Sequence, residues 1–256
     1  MDDLLISDNA GIRFVTLNRP EKRNALNNEL IASLKQALQE AESDGSLRSI
    51  VIRGAGKEFC SGADLASIQK IAGATYEENL DDARQLMDLF VTIRRTRLPV
   101  IAAVHGRALA GGAGVATACD IVLAARSARF GYPEVKIGFV PAMVMTILRR
   151  NLSEKAVFEI ATQGNEFSAE EARQLGLVNQ IFDDEIFENE VENYASRYAK
   201  ISRSAVAMTK QLLYDIDGKD FESSMLAGAE ANANARMSQD CKDGIARFLQ
   251  KQPKPE

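Results

Sequence analysis

Residues 99–125, PVIAAVHGRALAGGAGVATACDIVLAA, decide the fold. The runs VIAAV and DIVLAA are short and unbroken in apolar character, the mark of strands buried on both faces. Between them Gly111, Gly112 and Gly114 fall within four positions, where a helix begins. Glycine leaves no side chain between the main chain and a ligand, and a helix start presents N–H donors that favour negative charge. The same glycines would also serve if they only let a helix pack closely on a strand.

The pattern repeats on either side. SIVIRGAG (49–56) reads as a buried strand, KEFCSGADL (57–65) as a glycine-bearing loop, and Asp64 as the start of another helical turn. Upstream, LLISDNAGIRFVTLN predicts a hairpin turning at Asp8–Gly11. Leu30, Ile31, Leu34, Leu38 and Ala41 then repeat at helical spacing behind an Asn27 N-cap, with Gly45 expected to close the helix. Residues 76–98 carry a second helical pattern that stops before Pro99. Downstream, RFGYPEVKIGFVPAMV reads as a loop region and AMVMTILRR as a helix. SAEEARQLG has Ser168 and Glu171 at capping-box spacing and Gly176 at the C-cap, followed by LVNQIF as a strand. From about residue 187 the pattern is wholly helical. Strand, loop and helix recur three times, so the fold class is α/β and layered.

Composition narrows the function. The chain has 256 residues, a net charge of -5 and 46% hydrophobic residues, enough for one substantial core. Its 31 basic residues are scattered, which argues against nucleic-acid binding and against a charged membrane surface. No stretch approaches the roughly 18 apolar residues of a membrane span. Cys60, Cys119 and Cys241 cannot all pair and lack zinc-site spacing, so they are expected to be reduced thiols in a cytoplasmic protein without a metal. His105 is the one histidine, at a strand end, where packing or hydrogen bonding is the ordinary role.

The glycine loop lacks the Gly-Lys-Ser/Thr ending of a phosphate loop and a complete Gly-x-Gly-x-x-Gly. An oxyanion is the other candidate: two preorganised N–H groups stabilise a carbonyl oxygen that gains charge during reaction. One donor comes from the glycine loop and the second from Ser61-Gly62-Ala63, which occupies the same place after the preceding strand.

LNRPEKRNALN, FCSGADL, VIAAVHGRALAGGAGVATACDIVLA, FGYPEVKIGFVPA and SAEEARQLGLVN occur in this order from residue 17 to 179. As an ordered set they resemble the crotonase, or enoyl-CoA hydratase/isomerase, superfamily. The resemblance implies a spiral of repeated ββα units in residues 1–195 and a helical C-terminal region, 196–256, that builds homotrimers or hexamers. It implies an acyl-CoA thioester substrate of fatty-acyl metabolism, handled as an enolate, with coenzyme A belonging to the substrate and no separate cofactor. Carried over position by position, the N–H groups of Ser61 and Gly111 would hold the thioester oxygen. Ser61, Gly62, Ala63, Asp64, Leu65, Gly111 and Gly112 would border the substrate, and Glu134 would be the catalytic acid/base. Lys22, Arg23, Lys251 and Lys254 are candidates for the coenzyme A phosphates, and segments such as 67–90 and 139–148 for the acyl pocket.

One departure stands out. Hydratases of the family use two glutamates, and Gly114 occupies the first position here. Gly114 would either help the helix pack or widen the pocket. Moving a double bond from the 3,4 to the 2,3 position needs one carboxylate, which takes a proton from C2 and returns it to C4. Δ3,Δ2-enoyl-CoA isomerisation is therefore the first expectation and hydration of 2-enoyl-CoA the second. A non-catalytic acyl-CoA-binding subunit is the third, and RNA binding, seen in one branch of the superfamily, runs against the acidic balance.

Overall fold

The computed structural model describes residues 2–250, and the side chains of Leu65 and Ile71 also lie outside the described set. The hairpin forms as read: β1 (Leu4–Asn9) and β2 (Ile12–Leu17) are antiparallel, joined through Ala10 and Gly11, both at positive φ. β3 (Ser49–Gly54), β4 (Val100–Val104), β6 (Ile121–Ala125) and β9 (Gln180–Phe182) continue the sheet in parallel, in the order β1-β2-β3-β4-β6-β9. A second, three-stranded sheet consists of β5 (Arg107–Leu109), β7 (Arg129–Gly131) and β8 (Glu166–Ser168).

The unbroken apolar runs follow from burial on both faces. Ile50, Ile52, Val100 and Ala102 face a core shared with α1 (Asn28–Ser43), α3 (Tyr76–Arg95) and α4 (Gly111–Ala118). Val51, Ile101, Ala103 and Leu123 point the other way, onto Phe187, Val191 and Ala195 of α8 (Phe187–Ser196).

Local signals place most helix ends. Asn27 accepts from the Leu30 N–H, and Asp64 accepts from Ala66 at the start of α2 (Leu65–Ile71). Ser168 and Glu171 cap α7 (Ala169–Leu175) reciprocally, and Gly176 ends it in the left-handed conformation. Thr75 and Glu78 form a second capping box on α3, present in the sequence and not read there. Four expectations are corrected. α1 ends at Ser43 with Asp44 as its cap, one residue before Gly45. The LVNQIF strand shrinks to three residues, because Asn179 spends its side-chain oxygen as well as its N–H on Val122. The supposed loop at 130 begins as β7 and winds into a 3-10 turn at Pro133–Ile137. Between α5 (Ala142–Asn151) and β8 stands an unread helix, α6 (Glu154–Gln163), capped by Ser153.

The C-terminal helices are α9 (Arg203–Asp215), α10 (Phe221–Met237) and α11 (Gln239–Gln250). Lys210 of α9 reaches into the core, where its Nζ donates to the Ile93 and Leu98 carbonyls and, at 2.7 Å, to Asp120. Tyr214 donates to the other Asp120 oxygen at 2.6 Å, and the Val100 N–H donates to the same carboxylate. Asp120 is thus structural. Among the described residues no helix is long and apolar enough to cross a membrane, and no side-chain cluster could hold a metal ion.

Candidate active site

Three parallel segments end at one place. Cys60 bridges Ala108 of β5, and β5 pairs with β7 from Arg107–Arg129 to Leu109–Gly131. The chain therefore leaves toward Ser61–Asp64, Ala110–Gly111 and Tyr132–Glu134 from the same edge, the carboxyl end of parallel strands where α/β folds place their ligands. Main-chain bonds stitch the first two loops: Phe59 to the His105 carbonyl, Cys60 to that of Arg107, and Leu109 back to that of Cys60. Asn24, fully buried, holds the same loop by donating to the Ala55 and Glu58 carbonyls. His105 sits 3.1 Å from the Gly56 carbonyl, a loop-holding role.

The packing requires glycine where the loops meet. Gly62 has φ +95°, and a Cβ there would lie 2.9 Å from the Ala110 Cβ and 3.0 Å from the Leu109 oxygen. A Cβ on Gly112 would strike the main chain and side chain of Cys60. Ala110 is held at φ 48°, ψ -125°, a conformation of order 1–3 kcal/mol above the usual regions. That strain turns its own N–H onto the Gly131 carbonyl, 2.9 Å away, and leaves Gly111 as the first residue of α4. The Gly111 N–H has no acceptor among the described residues and lies at the positive end of the helix.

The second donor is not Ser61. Its N–H donates to the Arg23 carbonyl at 3.0 Å, an acceptor presented by a turn in which Arg23 and Asn24 both have positive φ. Asp64 is also fully engaged. Its N–H goes to the Leu26 carbonyl, one carboxylate oxygen caps Ala66, and the other meets Arg19 at 2.7 Å. The Ala66 N–H and the buried Arg19 guanidinium hold its pKa below the ordinary carboxylate value. Ala63 lies between, exposed, with an N–H that finds no acceptor among the described residues. The free amide thus sits two residues beyond the position carried over from the resemblance. Leu65 opens α2, but its side chain is outside the described set. Of the candidate phosphate contacts, Lys22 is half-exposed, 3.7 Å from Asp64, Arg23 is exposed, and Lys251 and Lys254 lie outside the described residues.

Glu134 sits in the 3-10 turn, which Gly138 closes at φ 76°. Its Oε2 is buried without a partner, the one carboxylate oxygen in that condition among the described residues. Burial pushes its pKa above 4.5, opposed only by a hydrogen bond from its own main chain. Two residues earlier the Tyr132 hydroxyl is fully buried, beside the Thr117 side chain and near Glu134. Desolvation raises the phenol's pKa, so at neutral pH it remains a proton-bearing group.

Gly114 serves packing and does not widen the site. A Cβ there would lie 2.5 Å from Cζ of Phe90 in α3. The ring occupies the volume a side chain at 114 would need, which accounts for the absence of a glutamate. Nothing in the sequence marked Phe90 beyond its place in a helical pattern.

A parallel core with backbone donors and an unpaired, desolvated carboxylate at one strand edge is the class of site that stabilises an oxyanion beside an acid/base. The enoyl-CoA hydratase/isomerase family model matches residues 7–255, and the chain belongs to this family. It is 32% identical to the 2,3-dehydroadipyl-CoA hydratase of Escherichia coli over 98% of this chain and 97% of that protein. It is 31% identical to the 1,2-epoxyphenylacetyl-CoA isomerase of the same organism, over the same shares of the two chains. The crystal structure of an enoyl-CoA hydratase from Mycobacterium smegmatis superposes with a TM-score of 0.93 at 34% identity, covering 100% of this chain and 99% of that one. The α/β spiral with its helical C-terminus is therefore the crotonase architecture.

Proposed function

We propose that the chain isomerises Δ3-enoyl-CoA thioesters to the Δ2 form, with the Ala63 and Gly111 N–H groups holding the thioester oxygen and Glu134 carrying the proton. The unpartnered, buried Oε2 of Glu134, in a chain whose first family glutamate position is a glycine packed against Phe90, carries this reading. Glu134 takes a proton from C2, and the electron pair passes through C1 to the thioester oxygen, giving a dienolate. The two amides stabilise that oxygen, each worth about 10²–10³ in rate by analogy with oxyanion-hole donors. The protonated Glu134 then delivers the same proton to C4 as the double bond settles between C2 and C3. Its raised pKa suits both halves of this transfer.

Hydration of 2-enoyl-CoA is the second reading. The buried Tyr132 hydroxyl favours it, as a group able to hold a water where a second glutamate is lacking. A paired assay with a 3-enoyl-CoA and the matching 2-enoyl-CoA separates the two. Conversion of the first without 3-hydroxyacyl product supports isomerisation, whereas rapid hydration of the second overturns it. Binding of both without turnover points to a non-catalytic acyl-CoA-binding subunit.

The family resemblance and an uncovered helix support a homotrimer, alone or paired into a hexamer. No residue of α10 is buried, and Phe221, Met225 and Leu226 are 78%, 62% and 62% exposed. Such an apolar set on one helix is the mark of an interface. Leu226→Glu is expected to shift the protein from trimer or hexamer to monomer in light scattering. An unchanged mass would place the interface elsewhere.

A further inference from the structure

Phe90 touches two spaces. On one side its ring fills the volume of a side chain at 114, with Cζ, Cε2 and Cε1 at 2.5, 3.2 and 3.4 Å from the Cβ position. Leu86, one turn earlier on the same face of α3, stands 3.6 Å from the corresponding point on Gly111. On the other side Phe90 lines a cavity of about 640 Å³ between α3, α5 and α9, with Met87, Met143, Ile147 and Tyr214 also in its wall. The ring is 5% exposed, so it stands as a partition and not as a surface side chain.

We infer that Phe90 is a specificity-determining residue that closes the reaction site against this cavity and restricts the substrate to short acyl chains. The inference rests on the acyl-CoA reading above. Gly114 lies three residues along α4 from Gly111, about 4.5 Å of helix axis. An acyl chain whose carbonyl oxygen meets the Gly111 N–H and which runs along α4 therefore meets the ring within about four carbon–carbon bonds. Beyond the ring the cavity wall is more apolar than polar, with Met87, Met143 and Ile147 beside charged residues that include Arg95 and Asp215. Arg94 and Arg150 at its wall are occupied, the first over the Tyr214 ring and the second with Asp217. The cavity thus offers an uncharged alkyl tail a place that the native side chain denies it.

The test measures binding of saturated four-, eight- and twelve-carbon acyl-CoA by calorimetry, alongside turnover of the matching 3-enoyl and 2-enoyl thioesters. Wild-type protein should favour the four-carbon thioester in both. Phe90→Ala should shift the twelve-to-four-carbon ratio of kcat/KM by about tenfold or more toward the longer chain, since single methylenes in an apolar pocket discriminate by 10–200-fold. Phe90→Leu, which preserves more of the packing, should shift it in the same direction by less. Adding Met143→Trp to Phe90→Ala should refill the cavity and cancel the gain. A wild-type preference for twelve carbons, an unchanged ratio in both Phe90 variants, or a gain that survives Met143→Trp overturns the role of Phe90. If no acyl-CoA of any length binds wild-type protein, the acyl-CoA reading itself fails and takes this inference with it. Ligands that bind with a length dependence but do not turn over overturn only the proposed reaction.

Discussion

Glu134→Gln is expected to lower kcat on a 3-enoyl-CoA by about 10²–10⁴, the range for loss of a positioned acid/base, while acyl-CoA affinity changes little. Glutamine keeps the shape and loses the proton-accepting charge. In wild-type protein the rate should rise with pH through the raised pKa of Glu134 to a plateau, because the carboxylate form begins the reaction. That limb should be missing from the residual activity of the variant. Stability should move the other way. A carboxyl whose folded pKa exceeds its unfolded value of 4.5 contributes stability that is complete below pH 4.5 and is lost as pH rises through the folded pKa. The glutamine protein should therefore match or exceed the wild-type Tm at pH 7, an advantage that fades toward pH 4.5. Full turnover in the variant on every enoyl-CoA tested would remove Glu134 from the chemistry.

The largest effect on stability should come from Lys210. Its ammonium, 8% exposed, satisfies two carbonyls and the Asp120 carboxylate at once. Lys210→Met would leave Asp120 with Tyr214 and the Val100 N–H as donors but without a compensating charge. Breaking one side of a buried pair typically costs about 3–5 kcal/mol, and denaturant unfolding should show a loss of that size. Asp120→Asn in the same background should recover part of it by removing the unpaired charge. A loss near that of an exposed ion pair, under about 1 kcal/mol, would mean that the pair is not what pins α9 to the core.

The elements legible in the sequence were those whose cause lies within a few residues. The Asn27 cap, the Ser168–Glu171 box and the Gly176 stop are each written in adjacent positions, and each stands in the structure. Buried parallel strands announce themselves because both faces must be apolar, so β3, β4 and β6 were plain. The short β5 and β7 were hidden, since three-residue strands carry too little pattern to separate from loop. Glycines 62 and 112 marked where two loops approach, and their close packing bears that out.

What determines the site within those loops is long-range. Residue types cannot show which amide is free, because Arg23 takes the Ser61 N–H across 38 positions and Leu26 takes that of Asp64 across the same number. Only after those bonds are made does Ala63 remain. Nor could the glycine at 114 be interpreted alone, since its meaning depends on a phenylalanine 24 residues earlier that folding presses against it. The sequence by itself determined the layered α/β class and the family, and it singled out Glu134 as the candidate carboxylate. The tertiary structure decided which N–H groups are unspent, why no second glutamate fits and how α9 is fastened, because hydrogen bonds and packing volume are shared out among distant residues only when the chain is folded.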